Sequence, residues 1–136
     1  MARVRTLSRY IFGLFFVFAG INHFVHPAFY LNIMPPYLPW HLALVYVSGV
    51  AETGLGLLLL FRRWEVVAAW GLIALLIAVF PANLHMATHQ ELYPTLPPVG
   101  LWLRLPIQGV LIAWAYWYTR PEPAPQRTAQ LTEVAQ

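Results

Sequence analysis

Four long apolar runs fill most of the first 118 residues, and each is close to the length that crosses a bilayer. A spanning helix needs about 20 apolar residues. Inside hydrocarbon every backbone N–H and C=O must find its partner within the chain, so runs of this kind fold as α-helices. The spans are read at about 7–24, 42–61, 66–86 and 101–118. The chain is 60% hydrophobic and only 10% charged, against roughly 45–50% and 25% in soluble domains. The expected fold is therefore all-α, an integral membrane four-helix bundle over residues 1–119, followed by a disordered cytoplasmic tail over 120–136. Residues 1–6 are basic and precede the first run without a small-residue cleavage site after it, so that run is read as a membrane helix rather than a secretory signal.

The connections divide into two kinds. Segment 26–41 is apolar yet broken by Pro35, Pro36 and Pro39, and segment 88–100 carries Pro94, Pro97 and Pro98. Proline lacks a donor and disfavours helix in the residue before it, so neither segment continues a span. The first is too apolar for an ordinary exposed loop and is expected to lie over the bundle mouth, with Tyr30, Tyr37 and Trp40 at the interface. Between the second and third spans, Arg62-Arg63-Trp64-Glu65 forms a tight polar turn. Pro81 falls inside the third span and is expected to kink it.

Charge sets the orientation. Arg3, Arg5 and Arg9 gather at the start of the first span, Arg62 and Arg63 join the second to the third, and Arg120 and Arg127 follow the fourth. The two Pro-rich connections contain neither Arg nor Lys. The positive-inside rule puts both termini in the cytoplasm and the two Pro-rich loops outside, which in a bacterial inner membrane means the periplasm.

With that orientation, the polar residues of the spans gather in their outer halves. The pocket set is Asn22, His23, Glu52, Asn83, His85, Arg104 and Gln108. Glu52 is about 15 Å deep at about 1.5 Å per residue. An ionisable group at such depth costs roughly 2.5–3.5 kcal/mol on insertion scales, which drives it toward a bundle interior or a partner. Arg104 is the nearest opposite charge in the outer half, and Gln108 lies one turn deeper on its face. The expectation is one network joining Glu52, Arg104 and Gln108 with His23, Asn83 or His85. Such a network fits a pocket open to the outside, and equally a set of bonds that only locks the helices together.

No cysteine is present, which removes disulfides, thiolate metal sites and thiol redox chemistry. All eight basic residues are arginine, and the net charge of +3 is scattered, so no nucleic-acid footprint is read. His23, His85 and His89 are the candidate metal ligands, His85 and His89 by their spacing of four. Histidines near loops are stable without metal, and no His-Glu-x-x-His motif occurs, so neither metal nor haem is expected. The aromatic residues of the fourth span, Trp102, Trp114, Tyr116, Trp117 and Tyr118, read as membrane belts, with a stacking surface for a quinone as the alternative.

Five segments in order resemble the DoxX-like membrane proteins: Gly20-Ile21-Asn22-His23-Phe24, Pro35-Pro36-Tyr37-Leu38-Pro39, Ser48-Gly49-Val50-Ala51-Glu52, Pro81-Ala82-Asn83-Leu84-His85-Met86 and Arg104-Leu105-Pro106-Ile107-Gln108. The resemblance implies a four-helix membrane bundle and an association with redox chemistry. The family's namesake is similar to a subunit of thiosulfate:quinone oxidoreductase, and other relatives act beside detoxifying enzymes or as assembly factors. A wider kinship joins them to proteins acting on thiols, chemistry that this chain lacks the cysteines to perform. No catalytic residue is carried over, because function varies widely on one fold.

Two functions are weighed. One is a redox-associated protein that binds a quinone or another small molecule, with Arg104 and Gln108 on a carbonyl or anionic group and Glu52 with His23 or His85 carrying protons. The other is a non-enzymatic assembly or partner-binding subunit whose polar network is structural. A small transporter is a third reading, but four short helices leave little room for a pathway. The expected partners are the lipid bilayer, a membrane or periplasmic redox protein and a second copy of the chain.

Overall fold

The computed structural model describes residues 2–121. Among them are four long helices, α1 (Ala2–Val25), α3 (His41–Leu59), α4 (Glu65–Thr88) and α5 (Pro98–Tyr118), with a short α2 (Pro27–Ile33) between the first two. The four long helices are each long and apolar enough to cross a membrane. Their outward faces are apolar too: Phe18 is 69% exposed, Val47 65% and Val110 64%. A soluble protein rarely shows so continuous an apolar surface, and a bilayer is the solvent it suits.

Neighbouring helices run in opposite directions. Gly20 meets Thr53 and Gly13 meets Gly56 across α1 and α3. Gln108 of α5 reaches Leu76 and Asn83 of α4. The packing order is α1 on α3, α3 on α4 and α4 on α5. Ring contacts of Phe12 with Trp114 and Tyr118 bring α5 back to α1. An Arg5 bond to the Arg120 carbonyl places the two ends of the described chain together. This is the arginine end of the bundle; the opposite end carries the two Pro-rich loops.

Two apolar clusters fill the interior. Phe12, Phe16, Leu59, Leu72, Ala115 and Tyr118 belong to the larger. Met86, Ala87, Tyr93 and Leu101 form the smaller, with Ile33, Leu96 and Leu105 packed against it. Ile33 belongs to α2, so the first Pro-rich connection crosses toward α4 and α5. Pro35 is buried behind it, while Tyr37 places its ring against His85.

Prolines set several boundaries. Pro27 and Pro98 sit in the first turns of α2 and α5, where a missing donor costs nothing and the fixed φ suits a helix. That is why α5 begins at Pro98 rather than near 101. Trp40 starts α3 from a left-handed conformation, φ 50°, with no side-chain cap. α1 begins at Ala2, not near 7, which makes Arg5 helical as well as Arg9 and brings them onto one face. The tail expected over 120–136 falls, beyond Pro121, outside the described residues.

Candidate functional site

Glycine is what allows α1 and α3 to approach. A Cβ on Gly49 would stand 2.7 Å from the Cβ of His23, and one on Gly56 would stand 2.7 Å from the Gly13 carbonyl. A Cβ on Gly20 would run into Thr53 Oγ1. Small residues are the usual means of close packing between membrane helices. The approach brings His23 against two groups of α3. Its Nδ1 lies 3.0 Å from the Val45 carbonyl and its Nε2 lies 2.7 Å from Glu52 Oε2.

A carbonyl only accepts, so His23 Nδ1 carries a proton and donates it to Val45. The second bond then holds one proton between the imidazole and the carboxylate. The two side chains are 10% and 17% exposed. Tyr30 of α2 covers them, its ring stacked on His23 at 3.8 Å between centroids. Asn22 Nδ2 fixes that ring by donating to Tyr30 Oη at 2.9 Å. Two shallow hollows adjoin this corner on the outward side, sharing Asn22 and Val25 in their linings.

Asn83 and Gln108 form a separate pair between α4 and α5. Asn83 Nδ2 donates to Gln108 Oε1 at 2.7 Å, and Gln108 Nε2 donates to the Leu76 carbonyl. Pro81 has no N–H for the Ile77 carbonyl and crowds that turn. The side-chain amide of Gln108 binds the carbonyl next to it. Gln108 is only 3% exposed and engages both ends of its amide within the bundle.

The expected single network is therefore corrected. Glu52 pairs with His23, not with Arg104, and Gln108 joins Asn83 rather than Glu52. Depth along each span was readable; the direction around each helix was not. The α1–α3 contact turns Glu52 toward His23, and the α4–α5 contact turns Gln108 toward Asn83. Among the described residues Arg104, half-buried in α5, has no ion pair or hydrogen bond.

His85 belongs to a third cluster at the loop end. Its ring stacks on His89 at 4.2 Å and meets the Tyr37 ring at 5.2 Å. Tyr93 Oη lies 3.4 Å from its Nδ1. Burial, and then the neighbouring Tyr37 phenol, push the Tyr93 pKa above its ordinary value of 10.0. Among the described residues no three His, Asp or Glu side chains converge as a metal centre would need. His23 already has both ring nitrogens engaged, and His85 and His89 lie face to face.

Sequence reasoning missed the densest polar cluster, at the arginine end. Arg5 donates from Nε and Nη2 to Glu65 Oε1 at 3.0 and 2.7 Å, and from Nη2 to the Arg120 carbonyl at 2.6 Å. Arg9 Nη1 stands 3.7 Å from Glu65 Oε2. Beside them the Tyr118 and Ser8 hydroxyls bond at 2.6 Å, and Trp114 Nε1 lies 2.8 Å from each. The available signal was the spacing of four between Arg5 and Arg9, set against a lone acid in the turn at Glu65.

The chain belongs to the family described as domain of unknown function DUF8561, whose family model matches residues 12–119. That range takes in α3, α4, α5 and most of α1. No curated protein and no solved structure matches the chain.

Proposed function

We propose that this protein is a redox-associated component of a bacterial inner membrane that binds a quinone or a related small molecule at the loop end of its bundle. The observation that carries the reading is the His23–Glu52 bond. Two titratable groups share a proton at 2.7 Å inside an apolar interface, under a tyrosine that borders an open hollow. Burying two such groups is costly unless their bonding is good, and a proton-sharing pair beside a ligand gives that cost a use. Arg104, free of a protein carboxylate among the described residues, is a further group that a second carbonyl or an anionic group would use, although it lines neither hollow. Gln108 drops out of this role because its amide is engaged by Asn83 and Leu76. Electrons must come from a partner or a bound carrier, since the chain holds no cysteine. The resemblance to DoxX-like proteins supports the same reading.

In this proposal both termini face the cytoplasm. The support is the gathering of arginines at one end and their absence from segments 26–41 and 88–100. Topology reporters at Gly100 and Gln136 then read opposite sides of the membrane; the same side for both overturns the orientation.

A second reading, a non-enzymatic assembly or partner-binding subunit, is favoured by the bonds of Gln108 and Glu65, which tie helix to helix. Extraction with native lipids separates the two. A quinone present in stoichiometric amount by mass spectrometry, and lost in Glu52→Gln, supports the binding reading. No bound small molecule, and no haem band in the visible spectrum, leaves the structural one.

A further inference from the structure

We infer that the molecule bound at the loop end carries an apolar chain and reaches its site sideways from the bilayer, along the outward face of α1. This rests on the small-molecule reading above and adds the class of ligand and its route.

The larger hollow is lined by Phe15, Phe18, Ala19, Asn22, Val25 and Tyr30, among others. All but Tyr30 come from α1, and 15, 18, 19, 22 and 25 follow the three-and-four spacing of one helix face. Below Asn22 that face is wholly apolar. It belongs to a helix long and apolar enough to cross a membrane, so the trough opens to acyl chains rather than to water. From Asn22 to Phe15 it descends about 10 Å at roughly 1.5 Å per residue. That is room for a length of chain laid against two phenylalanine rings.

The upper pole is different. Asn22 Nδ2 donates to Tyr30 Oη, so the phenol oxygen is used as an acceptor and its own proton points elsewhere. Among the described residues no acceptor takes that proton. A carbonyl oxygen on a headgroup is the group that fits it. The same Tyr30 ring stacks on His23, so one side chain both walls the trough and covers the proton-sharing pair. A headgroup bonded to Tyr30 is thus held next to His23 and Glu52 while its chain runs down α1. A tailless polar solute matches the pole and leaves the trough unused.

The test is photo-cross-linking in nanodiscs with two probes. One has a benzoquinone headgroup and an octyl chain ending in a diazirine; the other has the same chain and diazirine without a headgroup. Binding of tailless benzoquinone is measured alongside by calorimetry. The inference expects the headed probe to label Phe15, Phe18 and Ala19 at least fivefold above Ile107 and Val110 on the lipid-facing side of α5. The headless probe should label both faces alike. Tyr30→Phe, which removes the donor, and Ala19→Phe, which fills the trough, should each cut the α1 labelling at least threefold. Circular dichroism of each variant confirms that it is folded. Even labelling of α1 and α5 by the headed probe, with tailless benzoquinone still bound, overturns the lateral route and leaves the small-molecule reading standing. No binding of either headed or tailless quinone overturns both.

Discussion

His23 Nε2 and Glu52 Oε2 lie 2.7 Å apart across an interface where Gly20 and Gly49 let two helix backbones touch. The bond depends on the glycines, because a wider spacing would lift the imidazole off α3. Replacing one partner strands the other among apolar groups, which costs about 1–3 kcal/mol for a buried polar atom. His23→Leu and Glu52→Met should each destabilise by that order, and the double variant by clearly less than their sum. Glu52→Met combined with Arg104→Gln should instead be additive within about 0.5 kcal/mol. Unfolding titrations in detergent measure both cycles. Coupling between Glu52 and Arg104 as large as that between Glu52 and His23 would refute the assignment.

The glycine contacts predict a sharp contrast between Gly20 of α1 and Gly54 of α3. A Cβ on Gly20 would lie 2.5 Å from the Thr53 amide nitrogen and 2.8 Å from the Gly49 carbonyl, whereas one on Gly54 meets nothing within 4 Å. Beyond Thr53 Oγ1, the neighbours of Gly20 are backbone and cannot swing away. Gly20→Ala should cost about 1–3 kcal/mol by overpacking and weaken the His23–Glu52 bond as the helices part. Gly54→Ala should be neutral or stabilising by up to about 1 kcal/mol, the helix-propensity difference. Thermal melts of the two variants side by side decide the matter, and equal shifts would contradict the packing.

Four spans, their approximate limits and the polar set of the loop end were readable from hydrophobicity and proline alone. What failed was pairing. Depth follows from counting residues along a helix, so Glu52 and Gln108 look like neighbours at the same level. Which neighbour each one faces depends on the rotation of every helix about its axis. Gly13, Gly20, Gly49 and Gly56 set that rotation for α1 and α3, but a glycine in a sequence does not name the helix it admits. Arg5 and Arg9 were read for topology only, because the start of α1 was placed at about 7, between them. The five residues from Ala2 to Thr6 at its start would have shown two guanidiniums on one face in need of a carboxylate.

Tyr93 gives a pH dependence with a definite sign. Burial first, and the Tyr37 phenol second, raise its pKa in the folded protein above 10.0. The folded state therefore holds the phenolic proton more tightly than the unfolded chain does. Its contribution to stability is complete below pH about 10 and is lost as pH rises through the higher folded value. Tyr93→Phe removes that dependence, so the stability of the wild type should fall more steeply above pH about 10 than that of the variant. An ultraviolet titration should also show one phenolate fewer appearing in the highest part of the range for Tyr93→Phe. Ionisation of Tyr93 at or below its ordinary value would contradict the burial.

Glu65 is the residue whose loss should be felt most. It stands in the first turn of α4, is 6% exposed, and its two carboxylate oxygens face Arg5 and Arg9. A carboxylate there also meets the positive end of the helix dipole. Arg9 Nη1 is buried with no hydrogen-bond partner and relies on Glu65 Oε2 at 3.7 Å for compensation. Glu65→Gln leaves two buried guanidiniums against a neutral amide, and breaking a buried pair of this kind costs about 3–5 kcal/mol. Arg5→Lys is not a mild change either, because one ammonium cannot reproduce the fork that binds Glu65 and the Arg120 carbonyl together. Arg63, exposed and set over the Trp64 ring, is the control; Arg63→Gln should stay within about 0.5 kcal/mol of wild type. Since Arg5 links α1 to both α4 and the end of α5, limited chymotryptic cleavage after the buried Tyr118 should accelerate in Glu65→Gln and not in Arg63→Gln. Equal stability and equal cleavage in the two variants would show that the arginine end is held by its apolar contacts alone.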